Sequence, residues 1–381
     1  MQDSDIRDLI ELRHRLHSLA EPSNHEEQTS RLITEYLENQ GADRIIGGIG
    51  GYGLAAVFEG NNPGPQVLLR ADLDALPIPE SIELPYASER HNCSHKCGHD
   101  GHMTILAGVA RALSRNRPEK GSVVLFYQPA EEIGKGAARV LADSRFEQIK
   151  PDYVFALHNL PGFKKNSLIY RHDTFASASS GMIVELLGET SHAAEPHAGK
   201  SPALAVSQMI NALSAVPQFH TALHEASKVT VIHARLGEIA FGTSPGYAQV
   251  MATLRAHTDE VMSRLTKKCS SLAEGVAKSW QLGCKIRWDE HFPATVNDPQ
   301  AVKIILETAD ELGLEKFEQP SPFPWSEDFG HFTGKYKGAL FGIGAGKDQP
   351  ALHHPTYDFP DDLIETGVKI FVKIIEAITV R

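Results

Sequence analysis

The chain of 381 residues is poor in cysteine, with four copies, and in tryptophan, with three. Four thiols cannot build a dense disulfide framework, and a chain of this length can bury a large core without one. Long apolar runs are missing too: no stretch approaches the roughly 18 apolar residues that a membrane-spanning helix needs. No Lys/Arg-rich tract is present, and 37 basic against 48 acidic side chains leave a formal charge of −11 with His neutral. That balance argues against nucleic acid and anionic membrane as partners. The opening residues, MQDSDIRDLIEL, place three Asp where an export signal has a basic segment and an apolar core. A cytoplasmic location with reduced thiols is therefore expected, so clustered Cys reads as metal-binding or catalytic before it reads as a disulfide.

Histidine is what the sequence has in excess, with 19 copies. Neutral imidazole is the commonest protein metal ligand and a ready general base. The length suggests two domains at about 150 residues each.

Periodicity predicts helices over 3–19 and from a possible Ser23/Glu26 capping box to Gly41. Buried strands are expected at 54–60, 67–76, 122–128 and 153–160, with helices at 102–114 and 134–143 between some of them. Strands alternating with helices argue for an α/β domain with a largely parallel sheet. The pattern changes near residue 178. Strands at 180–190, 227–236, 247–257 and 284–292 enclose a helix after Pro202 and another from Thr258 to about Trp280. That order, β-α-β-β-α-β, is ferredoxin-like. A helix at 298–313, a strand at GALFGIG and a last helix at 361–378 follow. The expected organisation is one α/β catalytic domain, 1–178 plus 293–381, with a smaller α+β domain inserted at 179–292.

The densest chemical signal is HNCSHKCGHDGH, residues 91–102, with four His and two Cys in twelve residues. Thiolate and imidazole suit zinc and its neighbours. A structural Cys/His zinc site, a His-rich solvated loop, and a Cys97 nucleophile with His99 as base are the competing readings. Paired CxxC spacing is absent, and thiol enzymes draw their His from a distant segment. YQPAEE ends a strand with Glu131 and Glu132 adjacent, which is also how an acidic helix N-terminus looks. His158 ends the strand YVFALHNL, RADLDALP supplies Asp72 and Asp74, and LHHP adds His353 and His354. Each is weak alone. Several sit at the carboxyl ends of candidate parallel strands, where open α/β sheets place their sites.

RADLDALPIPE, CGHDGH, QPAEE, SHAAEPHAG, SEDF and LHHPTYDF stand in the order found in the M20 metallopeptidase superfamily. The sequence most resembles its amidohydrolase branch, which includes hippurate hydrolases, auxin–amino acid conjugate hydrolases and N-acetyldiaminopimelate deacetylase. The resemblance implies a catalytic α/β domain with an inserted lid that also forms a homodimer. It implies two divalent ions, zinc, manganese, cobalt or nickel, on Cys97, His99, Glu132, His158 and His353. Glu131 takes the place of the general base. His192, in SHAA, takes that of a lid histidine that reaches the partner subunit's site, and Arg255 that of an arginine for the substrate carboxylate. The implied reaction is hydrolysis of an N-acyl or N-aroyl amino acid or short peptide; a dipeptidase or aminopeptidase and a catalytically silent binding protein are the alternatives. The lid segment GEIAFGTSP departs from the family pattern, with Gly242 where relatives have Asn and Glu238 where they have Gly; separately, Ser201 in GKSP replaces the Asp of the family's GxDP motif.

Overall fold

The computed structural model describes residues 2–380. The chain divides into two compact units. The first comprises Met1–Phe175, Thr295–Pro322 and Glu327–Arg381; the second comprises Ala176–Ala294 and Phe323–Ser326.

An eight-stranded sheet forms the centre of the first unit. Its strands are β1 (Arg44–Ile49), β2 (Gly53–Glu59), β3 (Asn62–Asp72), β4 (Lys120–Gln128), β5 (Tyr153–Pro161), β6 (Leu168–Tyr170), β7 (Lys316–Glu318) and β8 (Lys337–Gly346). The spatial order is β1-β2-β4-β3-β5-β8-β6-β7. The middle four, β4, β3, β5 and β8, run parallel. They are buried on both faces: Val67 to Asp72 is an unbroken buried run. Such strands read as continuous apolar stretches rather than alternating ones. The helices α1 (Asp3–Leu19), α2 (Glu27–Glu38), α3 (His99–Arg115), α4 (Pro299–Glu311) and α5 (Leu363–Thr379) cover the sheet. Helix α3 is apolar on nearly every side because α1 and α5 pack over it.

The boundaries differ from the sequence reading in instructive ways. The strand expected at 67–76 ends at Asp72, and the following residues make only isolated bridges, Ala75 with Pro22 and Leu76 with Ser94. Ser23 and Glu26 do not form a capping box. The Ser23 hydroxyl donates to Asp74 and the Glu26 carboxylate accepts the Ala130 N–H, so both side chains serve loops at the ends of β3 and β4. Helix α3 starts three residues before its expected position, with Gly98 at its N-cap in the left-handed region (φ +91). A β-carbon there would stand 2.6 Å from the Asn159 amide oxygen, so only glycine fits.

The second unit holds a four-stranded antiparallel sheet in the order 227–236, 247–256, 178–187, 283–292. Helices Ala203–His220 and Asp259–Ser279 complete a β-α-β-β-α-β unit with its own apolar core. Phe323–Ser326 belongs to this unit through backbone bonds: Ser177 N–H donates to the carbonyls of Phe323 and Trp325, each at 3.1 Å. No hydrophobic period marks that tetrapeptide, which is why it is invisible in the sequence. Among the described residues no helix is long and apolar enough to cross a membrane.

Candidate metal centre

The carboxyl ends of the parallel strands bring distant segments together. Asp72, the last residue of β3, pairs in register with Gln128, the last of β4. His158 in β5 pairs with Gly342 in β8. Beyond β4 the chain turns through Ala130, a non-glycine residue at φ +54, and presents Glu131 and Glu132. The α3 N-terminus delivers Cys97 and His99, and the loop before α5 delivers His353, itself at φ +66. Left-handed conformations in alanine and histidine are uncommon and persist where surrounding contacts impose them.

These side chains form overlapping groups. Cys97, His99 and His158 have potential donor atoms within 4.8 Å of one another; so do Cys97, Glu132 and His353, and so do His99, Glu131 and Glu132. Cys97 is common to the first two groups. The ring orientations are fixed by hydrogen bonds. His99 Nδ1 lies 2.7 Å from the Asp74 carbonyl and His158 Nδ1 lies 2.9 Å from the Asn159 carbonyl. A carbonyl only accepts, so each Nδ1 carries the hydrogen and each Nε2 is left with a lone pair. His158 Nε2 faces the Cys97 sulfur at 3.5 Å. His99 Nε2 stands 3.7 Å from Glu132 Oε1, and both atoms are buried without a hydrogen-bond partner. His353 Nε2 lies 3.8 Å from the other Glu132 oxygen. His353 is exposed, whereas its neighbour His354 turns to the Thr356 hydroxyl at 2.8 Å.

The electrostatics point the same way. Burial raises the Glu131 carboxyl well above the usual carboxylate range, and Glu327, Glu132 and Asp328 add to the rise. Burial likewise raises Glu132, reinforced by Asp74 and Asp72. The Cys97 thiol is pushed up by burial and by Glu132 and Glu131. Burial holds the His99 imidazole well below its ordinary value and pushes His158 down to about 3, so both rings are neutral. Lone pairs that face one another, neutral imidazoles, a thiol and crowded carboxylates make a site short of positive charge. Sulfur, nitrogen and oxygen donors in that arrangement fit divalent transition ions, zinc foremost.

Around these donors lies a supporting layer, of which the sequence marked Asp72 and Asp74 as candidates without showing what they hold. The Asp74 carboxylate accepts the backbone N–H groups of Glu131 (3.1 Å) and Glu132 (3.0 Å) and the Ser23 hydroxyl (2.6 Å). One buried side chain thus fixes both adjacent glutamates. Arg70, buried in β3, donates to Asp72, Glu327, Asp328 and Gln128 at 2.8–3.0 Å. His102 faces Asp72 at 2.7 Å and the Asn159 amide at 2.5 Å, and Asn159 donates to the Tyr357 hydroxyl. Arg70 was the legible clue: a lone cation inside VLLRADL must find anions within the core.

The other two expected site residues lie in the second unit. His192 is exposed, on a short strand paired with Thr243–Ser244. Its Nδ1 accepts the Ala194 N–H at 3.1 Å, so Nε2 carries the hydrogen of the neutral ring. The carbonyl of Gly242 accepts the Ala193 N–H at 3.0 Å. Arg255, next to last in the strand 247–256, donates to the Pro324 carbonyl (2.9 Å) and the Ser326 hydroxyl (3.1 Å), both neutral acceptors. Burial lowers its guanidinium below the ordinary value. Lys228 and His257 line the same cavity of about 200 Å³.

Residues 68–377 match the family described as Peptidase family M20/M25/M40. The chain belongs to this family. Relatives of this chain in the family act on amide bonds. Hippurate hydrolase of Campylobacter jejuni is 30% identical over 365 residues, covering 95% of this chain and 94% of that protein. The N-acetyl-L-cysteine deacetylase of Bacillus subtilis is 30% identical over 363 residues, covering 94% and 85%. Among solved structures, the YXEP protein of Bacillus subtilis, described as a dinuclear metal-binding peptidase of the M20 family, superposes with a TM-score of 0.84 at 24% identity, covering 99% of each chain.

Proposed function

We propose that this chain is a dinuclear metal-dependent amidohydrolase that cleaves N-acyl or N-aroyl amino acids to a carboxylic acid and a free amino acid. The observation that carries the reading is the convergence of Glu131 and Glu132 with buried Cys97, His99 and His158 at the carboxyl ends of parallel strands. Cys97, His99, Glu132, His158 and His353 would hold two divalent ions, with zinc, manganese, cobalt and nickel all compatible with the donor set. When bound, the ions supply Lewis acidity and make a water acidic enough to ionise near neutral pH.

The chain's own residues do the rest. Glu131 receives the proton of the attacking water and passes it to the leaving amine. Asp74 keeps Glu131 and Glu132 in fixed directions through their backbone N–H groups. His192, with hydrogen on Nε2, is a donor suited to a carbonyl oxygen that gains charge. Arg255, bonded only to neutral acceptors, suits the substrate carboxylate. The inserted unit would serve as lid and dimerisation domain. Strand 227–236 is a sheet edge, Ile232 on it is 59% exposed, and Phe219 on the preceding helix is 75% exposed. A long edge with exposed apolar side chains is a pairing surface, and a second copy satisfies it. A cytoplasmic location fits the reduced state of the Cys97 thiol that ligation requires.

The test is a panel of N-acetyl and N-benzoyl amino acids beside free-amine dipeptides, run with Zn²⁺, Mn²⁺ or Co²⁺ and with metal analysis of the same sample. Hydrolysis of the acylated members is expected. Turnover confined to free-amine dipeptides would make the chain a dipeptidase. Silence across the panel at full metal loading would leave a binding protein. Cys97→Ala is expected to lower metal content, read by elemental analysis; full occupancy in that variant removes Cys97 from the ligand set.

A further inference from the structure

We propose that helix α1 is a positioning element of the metal centre: Arg13 and His17 tie together the three segments that carry or brace its donors, Glu80–Ser81, Lys96–Asp100 and His353–Asp361. The proposal rests on the reading of Cys97, His99 and His353 as ligands.

Arg13 and His17 lie one turn apart on α1, and both are fully buried. His17 Nδ1 is 2.8 Å from Asp100 Oδ2, and Nε2 is 2.9 Å from Glu80 Oε1. Ionised carboxylates only accept hydrogen bonds, so both ring nitrogens carry hydrogen and His17 is an imidazolium. Burial opposes that charge, but Asp100 and Glu80 lift its pKa to about 9. Arg13 donates from one nitrogen to Asp100 and Asp358, each at 3.0 Å, and pairs with Asp361 at 2.5 Å. Two side chains of one helix therefore grip the first turn of α3, the Glu80 loop and the loop that follows His353.

The gripped segments are also joined to each other. Lys96 donates to Glu80 and to the Tyr357 carbonyl, while its own carbonyl accepts the His353 N–H at 2.8 Å. Ser81 N–H donates to the Pro355 carbonyl at 3.0 Å. Lys96 precedes Cys97, Asp100 follows His99, and the Lys96 carbonyl holds the backbone of His353 itself. The conformation of His353, at φ +66, is one that a free loop rarely keeps. Buried ion clusters are weak sources of stability. The physical effect of this one is directional, because each link fixes the backbone next to a donor without touching a donor atom. Outer partners of this kind typically change metal affinity by about 10–100-fold when removed.

The experiment uses the full chain with Co²⁺ as probe. Dissociation constants come from competition with a chromophoric chelator, and the melting temperature of the metal-free chain serves as the fold control. His17→Gln keeps the size and one donor but loses the charge and the second grip. Its Co²⁺ affinity is expected to fall about 10–100-fold, with kcat at saturating Co²⁺ largely retained. Glu80→Gln, at the rim of the cluster, should move affinity the same way and decides the question if His17→Gln does not fold. Parental Co²⁺ affinity in the folded variants, even with a lowered melting temperature, makes the network a matter of fold alone and overturns the proposal. Cys97→Ala in the same series separates the underlying reading: parental affinity there sinks the ligand assignment, whatever the His17 variant does.

Discussion

Glu131→Gln is expected to lower kcat by about 10²–10⁴-fold, the usual contribution of a positioned general base, while metal content stays at the parental level. The replacement keeps size and shape, so the geometry around it should hold. Backbone contacts fix the residue independently of its side-chain charge, because Asp74 binds the Glu131 N–H and Ala130 is anchored by Glu26. What the amide lacks is a site that accepts a proton from water and returns it to an amine. KM should change little, since the ground state uses other groups. Steady-state kinetics and elemental analysis on one preparation give the answer. Parental turnover would end the general-base assignment. A loss of metal alongside activity would move Glu131 into the ligand set, which its grouping with His99 and Glu132 makes a concrete alternative outcome.

The sequence made different parts of this site visible to different degrees. The middle strands announced themselves because both faces are buried, and a run such as VLLRADL has few other folded uses. The outer strands β1, β6 and β7 are short or only partly buried, and no period marked them. Cys97, His99, Glu131 and Glu132 stood out because few other segments concentrate such groups. His158 did not: a single histidine late in an apolar strand has the same appearance whether it caps the strand or faces a metal. Asp74 shows the limit most clearly. Its importance lies in accepting two N–H groups from residues 57 and 58 positions away, and local pattern carries no trace of a partner that distant. Ser23 and Glu26 misled for the same reason. Their spacing fits a helix cap, yet tertiary partners at β3 and β4 claimed both side chains.

Stripping the ions with a chelator should lower the melting temperature, and the loss should grow as pH rises from 7 to 9. One metal ion present at 1,000 times its dissociation constant contributes about 4 kcal/mol, which is on the order of 5 °C for a chain of this size. The pH dependence follows from the metal-free centre. Burial and neighbouring carboxylates raise the Glu131 and Glu132 carboxyls, and burial raises the Cys97 thiol. A group with a raised folded pKa binds more protons folded than unfolded, so its stability contribution falls as pH rises through that range. The buried His99 and His158 act in the opposite sense, because their folded values lie below the ordinary one. Their effect is spent once the unfolded rings are neutral too, above about pH 6.5. Above about pH 7 the raised acidic groups are what remains of the centre to titrate, so the metal-free chain gains no stability from it as pH rises. The loaded chain behaves differently, since its donors bind ions in their deprotonated forms and gain affinity as pH rises. His17 also titrates with a raised value, about 9, and because its charge braces the donors the comparison between pH 7 and 8, below that value, is the one that reads the centre itself. Calorimetric scans with and without chelator at pH 7, 8 and 9 measure the loss. A gap that narrows with pH would mean that the buried carboxylates and Cys97 are not where the ions bind.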